Sequence, residues 1–472
     1  WNLKYYIFLM SILIKNGRVV TASEDFVGDV FIENEKIAEV GTNLNRNADK
    51  VIDAANKLVI PGGIDVHTHL DMPLGNILSS DDFETGTIAA AFGGTTTIID
   101  FPIQTKGHSL HDVLKTWQSK ANGKAVIDFG FHLIIADVND SVLDEMDLLV
   151  SEGITSFKLF MAYPGALMLD DADILRIMQR AKKNGALIMM HAENGVEIAK
   201  LIQKALQGGN TEPIYHALTR PPALEGEATS RTIALAEAAG VPCYIVHVTC
   251  NESLDEIVKA RQKGLPVFGE TCPQYLLLSE DDLRKPNFEG AKYVLSPPLR
   301  PTEHQKRLWE GLRANDLHAL ATDHCPFNFK GDKELGQNDF TKIPNGAPGI
   351  ENRLHLSYEF GVNQGRLSLK RWVELVSTNP AKIFGMYPNK GEIAAGSDAD
   401  IVIWNLNAEH AISARTHHMH VDYNMFEGFR VKGNAETVIS RGEVIVANNK
   451  FFGEPGRGKF LKRKPFYSNL IN

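Results

Sequence analysis

The chain alternates between two textures of apolar and polar positions. From Ser11 to Val59, short runs such as ILIKNGRVVT, DVFIENEKIAEVG and KLVIPGG alternate apolar with polar residues and are broken by turn signals. Successive side chains of a strand point to opposite faces, so this pattern predicts small antiparallel strands with one buried face. The same texture returns after about residue 390, in GEIAAGSDADIVIWN and ETVISRGEVIVANN. Two β-rich ends around a long middle predict one small β-sandwich assembled from both termini.

The middle reads differently. Eight near-continuous apolar runs follow one another: GIDVHTHL, GTTTIIDFP, VIDFGFHLII, ITSFKLFMAY, ALIMMHAEN, PCYIVHVTC, PVFGETCPQYL and LHALATDHCPF. Amphipathic stretches such as DDADILRIMQRAKKNG and ESLDEIVKARQKG lie between them. Runs without alternation are strands covered on both faces, and helices between them are the crossovers of a parallel sheet. Eight such units from Gly63 to Phe327 predict an α/β fold of the (β/α)8 TIM-barrel type. On this reading residues 1–10 are an N-terminal extension before a start at Met10. Residues 11–60 and 386–450 are the two parts of the sandwich, and residues 61–385 are the barrel. Residues 451–472 form a basic tail, solvated or serving as a subunit contact.

Composition changes this picture little. With 472 residues, 43% of them hydrophobic, the chain can bury a large core without help from metals or disulfides. Lys+Arg 49 against Asp+Glu 58 gives a net charge of −9, which offers neither a nucleic-acid footprint nor attraction to a membrane. Four scattered cysteines with no C-x-x-C pair are the pattern of reduced thiols, so a cytoplasmic enzyme is expected.

Candidate chemistry lies at the C-terminal ends of the barrel strands, where such barrels carry their active sites. These ends present His67 and His69 on strand 1, Lys158 on strand 4, His191 on strand 5, His247 on strand 6 and Asp323 on strand 8. His67 and His69 are two apart and so share a face. Six ligand-type residues at one end of one barrel predict a metal site. Imidazoles with an Asp suit Zn²⁺, with Mn²⁺ or Co²⁺ as alternatives. Lys158 is the puzzle, because a protonated lysine would repel a dication and is expensive to bury. A neutral amine there could add CO2, and the resulting N6-carboxylysine could bridge two metals about 3.5–4 Å apart. His67, His69 and Asp323 would then serve one ion, and His191 and His247 the other. His324 should point away from the barrel axis, and His417, His418 and His420 should lie in a loop or interface.

The motifs HTHLDMP, SFKLFMAYPGA, MMHAENG, VHVT, SPPLR, ATDHCPF and NGAPGIE resemble the D-hydantoinase and dihydropyrimidinase family, cyclic amidohydrolases of the amidohydrolase superfamily. The resemblance runs from about Ser11 to about Phe452. It implies that Lys158 is the carboxylated bridging lysine and that the other five residues complete the ligand set. It further implies that Tyr163 bonds the substrate carbonyl, while Ser296 and Asn345 hold the cyclic amide through main-chain groups. The implied reaction is attack on the ring carbonyl by a hydroxide bridging two metals. Asp323 carries its proton to the leaving nitrogen, and the product is an N-carbamoyl amino acid. A homotetramer, or a homodimer, is implied as well. Dihydroorotases place an Arg just after H-x-H to hold a carboxylate; Leu70-Asp71 stands here, so an anionic ring is not expected. The loop PLGNILSSDDFETG departs from the usual hydantoinase sequence, and Leu74, Phe160 and Leu167 are expected to surround the 5-substituent. The alternatives are an allantoinase-type enzyme and a non-enzymatic scaffold of the collapsin-response mediator type.

Overall fold

All eight apolar runs of the middle form parallel strands in the computed structural model, which describes residues 11–466. Barrel strands 1 to 8 are Gly63–Thr68, Thr95–Asp100, Asp128–Phe131 (resumed at Leu133–Ile134), Ser156–Phe160, Leu187–His191, Cys243–Ile245, Val267–Thr271 and Ala319–Leu320. They pair in sequence order, and a parallel bridge between Thr68 and His324 joins the last to the first. The expected extension at residues 1–10 and the end of the tail, 467–472, lie outside the described residues. No helix among the described residues is long and apolar enough to cross a membrane.

The covering helices form for local reasons. Asp171–Asn184 starts where the Asp170 side chain accepts a hydrogen bond from the Asp173 N–H, and it stops at Gly185 with φ +77°. Acidic residues occupy its first turn and Lys182 and Lys183 its last, matching the helix dipole. Ile174, Ile177, Met178 and Ala181 recur at helical spacing and are the buried stripe.

The two β-rich ends form one domain, and its strands join as a single nine-stranded sheet. The strand Ile401–Ala411 from the C-terminal part pairs with Leu58–Pro61 from the N-terminal part. A bulge between Ile14 and Gly17 kinks the first strand, which pairs with Lys50–Asp53 before it and with Leu58–Pro61 after it. The sheet folds back on itself, so Ile12, Ile32 and Ile37 share a core with Ile401 and Ile439.

A buried ionic cluster ties this domain to the barrel. Lys390 Nζ donates to Asp128 Oδ2 and Asp400 Oδ2, each at 2.6 Å, and Arg441 Nε donates to Asp128 Oδ1 at 2.9 Å. Burial alone would raise the Asp128 carboxyl, but Lys390 and Arg441 more than reverse it and hold it low. Burial wins at Asp400, which shares the ammonium with Asp128 and is pushed up.

The tail is exposed along much of its described length but is anchored to the barrel. Strand 3 pairs with strand 4 only through its second piece; its first piece pairs with the tail instead. The Phe129 N–H donates to the Lys459 carbonyl at 3.0 Å, and the Leu461 N–H donates to the Phe129 carbonyl at 2.7 Å. Residues 459–461 thus fill a gap in the barrel wall at its N-terminal end. Arg463 follows them inward, donating to the Phe131 carbonyl and to Ser156 Oγ. The basic composition that read as a solvated arm includes this fully buried guanidinium. Phe466 then packs on Phe268 with ring centroids 5.3 Å apart.

Lys390→Met would leave two buried carboxyls without their ammonium. A loss of about 3–5 kcal/mol is expected, read as a lower urea midpoint. Asp128 adds a pH signature. Its folded pKa is depressed, so its contribution is present above the ordinary carboxylate range and is lost as pH falls through the folded value. Asp128→Asn should therefore flatten the acid limb of the stability profile.

Candidate metal centre and substrate cavity

The expected ligands converge at the C-terminal mouth of the barrel. His67 is the penultimate residue of strand 1, and His69 lies just beyond it, pinned by its N–H to the His324 carbonyl at 2.8 Å. His191 ends strand 5, and Lys158 sits at the middle of strand 4 rather than at its tip. His247 and Asp323 lie past the ends of strands 6 and 8, where the chain turns with φ +38° and +53°. Tyr163 follows strand 4 with φ +63°. Non-glycine residues in this region cost about 1–3 kcal/mol each, and all three turn their side chains to the same cavity. Asp65 of strand 1 accepts from the Thr322 N–H and hydroxyl, at 3.2 and 2.6 Å, fixing the turn that presents Asp323.

Two sets of imidazoles face inward. His67 Nε2 and His69 Nε2 lie 3.1 and 3.3 Å from the same Asp323 oxygen. His191 Nδ1 and His247 Nε2 are 3.0 Å apart. Carboxylates stand behind them. Glu270 Oε1 accepts from His67 Nδ1 at 2.5 Å, and Glu193 Oε2 accepts from His191 Nε2 at 2.7 Å, which orients each ring with its other nitrogen inward. The Tyr244 hydroxyl donates to the other Glu270 oxygen at 2.8 Å.

The electrostatics are those of a cation site. Burial would lower His67, yet Asp323 and Glu270 reverse this and raise it to about 9. Burial lowers His69 to about 4, and together with His191 it pushes His247 well down. Burial would raise Asp323, but His67, His69 and His247 hold it far below the carboxylate range. His67 Nε2 is buried without a hydrogen-bond partner beside Asp323, and ligand atoms of His67, His247 and Asp323 lie within 4.8 Å of one another. An unsatisfied imidazole nitrogen beside a shared carboxylate fits a divalent ion.

Lys158 lies between the two sets. Its amine stands 4.7 Å from the centroid of Phe101, which packs on His67 and His69, and 4.9 Å from that of Phe160, which stacks on His191. Among the described residues no carboxylate pairs with it, and burial lowers it to about 8. A second acidic trio, Asp128, Asp398 and Asp400, is closed by Lys390.

Above the ligands opens a cavity of about 750 Å³ that Tyr163, Ser296, Asn345, Leu74, Phe160 and Leu167 all line. Tyr163 lines the cavity beside Ser296 and Asn345, and burial pushes its hydroxyl up to about 12, so it remains protonated at neutral pH. Asn345 Nδ2 donates to Ser296 Oγ at 3.2 Å. His216 Nε2 lies 3.1 Å from the same oxygen. The fully buried Leu70 packs against Gly86 in the helix Thr85–Phe92 rather than entering the cavity.

Sequence reasoning missed Glu193, Glu270 and His216. The signal for the two acids was present: each is a carboxylate inside an apolar strand-end motif, MMHAEN and VFGETC, where only a polar partner justifies burial. His324 points away from the metal ligands to Asp81 Oδ2 at 3.1 Å. His418 stacks on Phe92 and bonds Glu351, and the His417 ring bonds the Val421 carbonyl, in a loop packed on the barrel's flank.

Residues 58–445 match the amidohydrolase family. The chain is 55% identical over 456 residues to a D-hydantoinase of Streptomyces coelicolor, covering 96% of this chain and 97% of that protein. It is 54% identical to a D-hydantoinase of Geobacillus stearothermophilus, covering 97% of each. The crystal structure of dihydropyrimidinase from Brevibacillus agri superimposes with a TM-score of 0.96 at 53% identity, over 97% of this chain and 100% of that one. A closed barrel, a cation site at its mouth and this depth of similarity lead to one statement: the chain belongs to the amidohydrolase family, in its branch of D-hydantoinases and dihydropyrimidinases.

Proposed function

We propose that this protein hydrolyses the cyclic amide bond of 5-substituted hydantoins and dihydropyrimidines to N-carbamoyl amino acids. The observation that carries this reading is the pair of ligand sets, His67/His69/Asp323 and His191/His247, around a buried lysine that forms no ion pair among the described residues. The Lys158 amine, lying between the two sets, is proposed to add CO2 with loss of a proton and become an N6-carboxylysine, which would supply carboxylate oxygens to hold the ions. Two divalent ions held there, Zn²⁺ in the first instance and Mn²⁺ or Co²⁺ otherwise, supply Lewis acidity and a water whose pKa falls from 15.7 to roughly 7.

The chain's own groups do the rest. Ser296 and Asn345 hold the ring amide, and the Tyr163 hydroxyl donates to the carbonyl oxygen as negative charge builds on it. Asp323, held ionised, accepts the proton of the attacking water and delivers it to the ring nitrogen as the C–N bond breaks. Water is added across that bond, and the ring opens as an N-carbamoyl amino acid. Leu74, Phe160 and Leu167 are proposed as the wall around the 5-substituent. Leu74 lies half-exposed on the short hairpin Pro73–Leu78 at the mouth, free to be trimmed, whereas Phe160 also buttresses His191. Four buried free thiols favour a cytoplasmic setting. A homotetramer, or a homodimer, is the proposed assembly. An allantoinase-type preference is the competing reading of the same site, whereas an intact ligand set speaks against a non-enzymatic scaffold.

Metal analysis should find about two divalent ions per chain. One preparation offered hydantoin, dihydrouracil, allantoin and dihydroorotate should turn over the first two; preference for allantoin would replace the reading. Lys158→Ala should lose both ions and activity, and a small carboxylic acid with added metal should restore part of it. Full activity without additives would remove the bridging role. Leu74→Ala should raise the relative rate on bulky 5-substituents while Phe160→Ala lowers all rates; unchanged ratios would move the specificity wall elsewhere.

A further inference from the structure

Lys333 is a fully buried lysine outside the ligand set. Its ammonium donates to three main-chain carbonyls: Val294 at 2.8 Å, Pro344 at 2.7 Å and Gly346 at 2.7 Å. These use all three of its donors. The acceptors are not scattered. Pro344 and Gly346 flank Asn345, and Val294 lies two residues before Ser296. The Gly346 N–H donates to the same Val294 carbonyl at 3.1 Å, so the two segments meet at one oxygen.

A lysine is a poor choice for filling space here. Burying an ammonium without a carboxylate is expensive, and a Met or Leu would pack without that cost. Carbonyl oxygens from separate segments repel one another unless a cation lies between them. Three bonds from one point fix the spacing and orientation of both backbones in a way apolar packing would not. The side chains that those backbones carry are the ones that lie beside Tyr163 at the floor of the cavity.

We infer that Lys333 is a positioning residue for substrate binding: its ammonium clamps the 294–296 and 344–346 segments so that Ser296 and Asn345 face the ring amide together. The role rests on the hydrolase reading above. It acts through main-chain carbonyls and touches neither substrate nor metal. Lys333 opens a short helical turn, Lys333–Gly336, whose next side chains reach the rim, where the half-exposed Leu335 lines the mouth. The clamp therefore also joins the outer wall of the cavity to its floor.

The test compares the metal-loaded wild-type protein with Lys333→Met, Lys333→Gln and Lys333→Arg on hydantoin. In Lys333→Met, KM should rise about tenfold or more while kcat stays within roughly threefold and metal content is unchanged. Lys333→Gln, which keeps two donors, should fall between Met and wild type. KM within roughly twofold of wild type in folded, metal-loaded Lys333→Met would overturn the clamp. So would an equal fall in kcat and metal content, which would place the damage at the ligands. If the Met variant does not fold, the Gln and Arg variants carry the comparison; failure of all three to fold would assign Lys333 to the fold and overturn the proposal. Absence of turnover in the wild type would instead remove the hydrolase reading, so the two failures are distinguishable.

Discussion

An ammonium group taken out of water demands compensation, and the way this chain meets that demand organises the whole molecule. Among the described residues three lysines are buried: Lys158, Lys333 and Lys390. Lys390 is compensated by carboxylates and holds the sheet domain to the barrel. Lys333 is compensated by carbonyl dipoles and holds two loops at a fixed spacing. Lys158 has neither; its amine lies among aromatic faces and imidazoles, and burial pushes it toward the neutral form. Lowering toward 8 brings the neutral, nucleophilic form of the amine within reach near neutral pH. The absence of a partner is thus the property that makes it chemically useful.

The same logic extends to the layers behind the ligands. Imidazoles can offer lone pairs inward only if their outer nitrogens are occupied, and Glu270 and Glu193 do this for His67 and His191. Each of those acids needs its own partners, which the Tyr244 hydroxyl and the His247 N–H provide for Glu270. Polar groups are buried in shells around the mouth of the barrel, and the surrounding strands are apolar enough to bear the cost.

Much of this was legible in the sequence because it repeats a pattern. Strand runs without alternation, broken by amphipathic helices, leave few architectures, and His67 and His69 at a two-residue interval could only share a face. What periodicity could not convey was pairing between distant segments. The run from Lys459 to Lys464 carries four positive charges and reads as a solvated arm, yet it completes a wall whose partner is Phe129. Lys333 in GDKELG looks like a surface charge, because nothing local shows that three carbonyls from other loops surround it. Glu270 was visible as an acid in an apolar run, but its purpose is set by His67, some two hundred residues earlier. Ligands at strand ends are local facts; what aims them is not.

The insertion of residues 459–461 beside strand 3 bears on the order in which the molecule can be made. Strands 3 and 4 leave the ribosome hundreds of residues before the segment that fills the gap between them. A nascent chain can fold vectorially only as far as its contacts have been synthesised. The barrel therefore stays open along one seam until residues 459–461 have been made, and Arg463 enters its interior only after the chain of all eight strands exists.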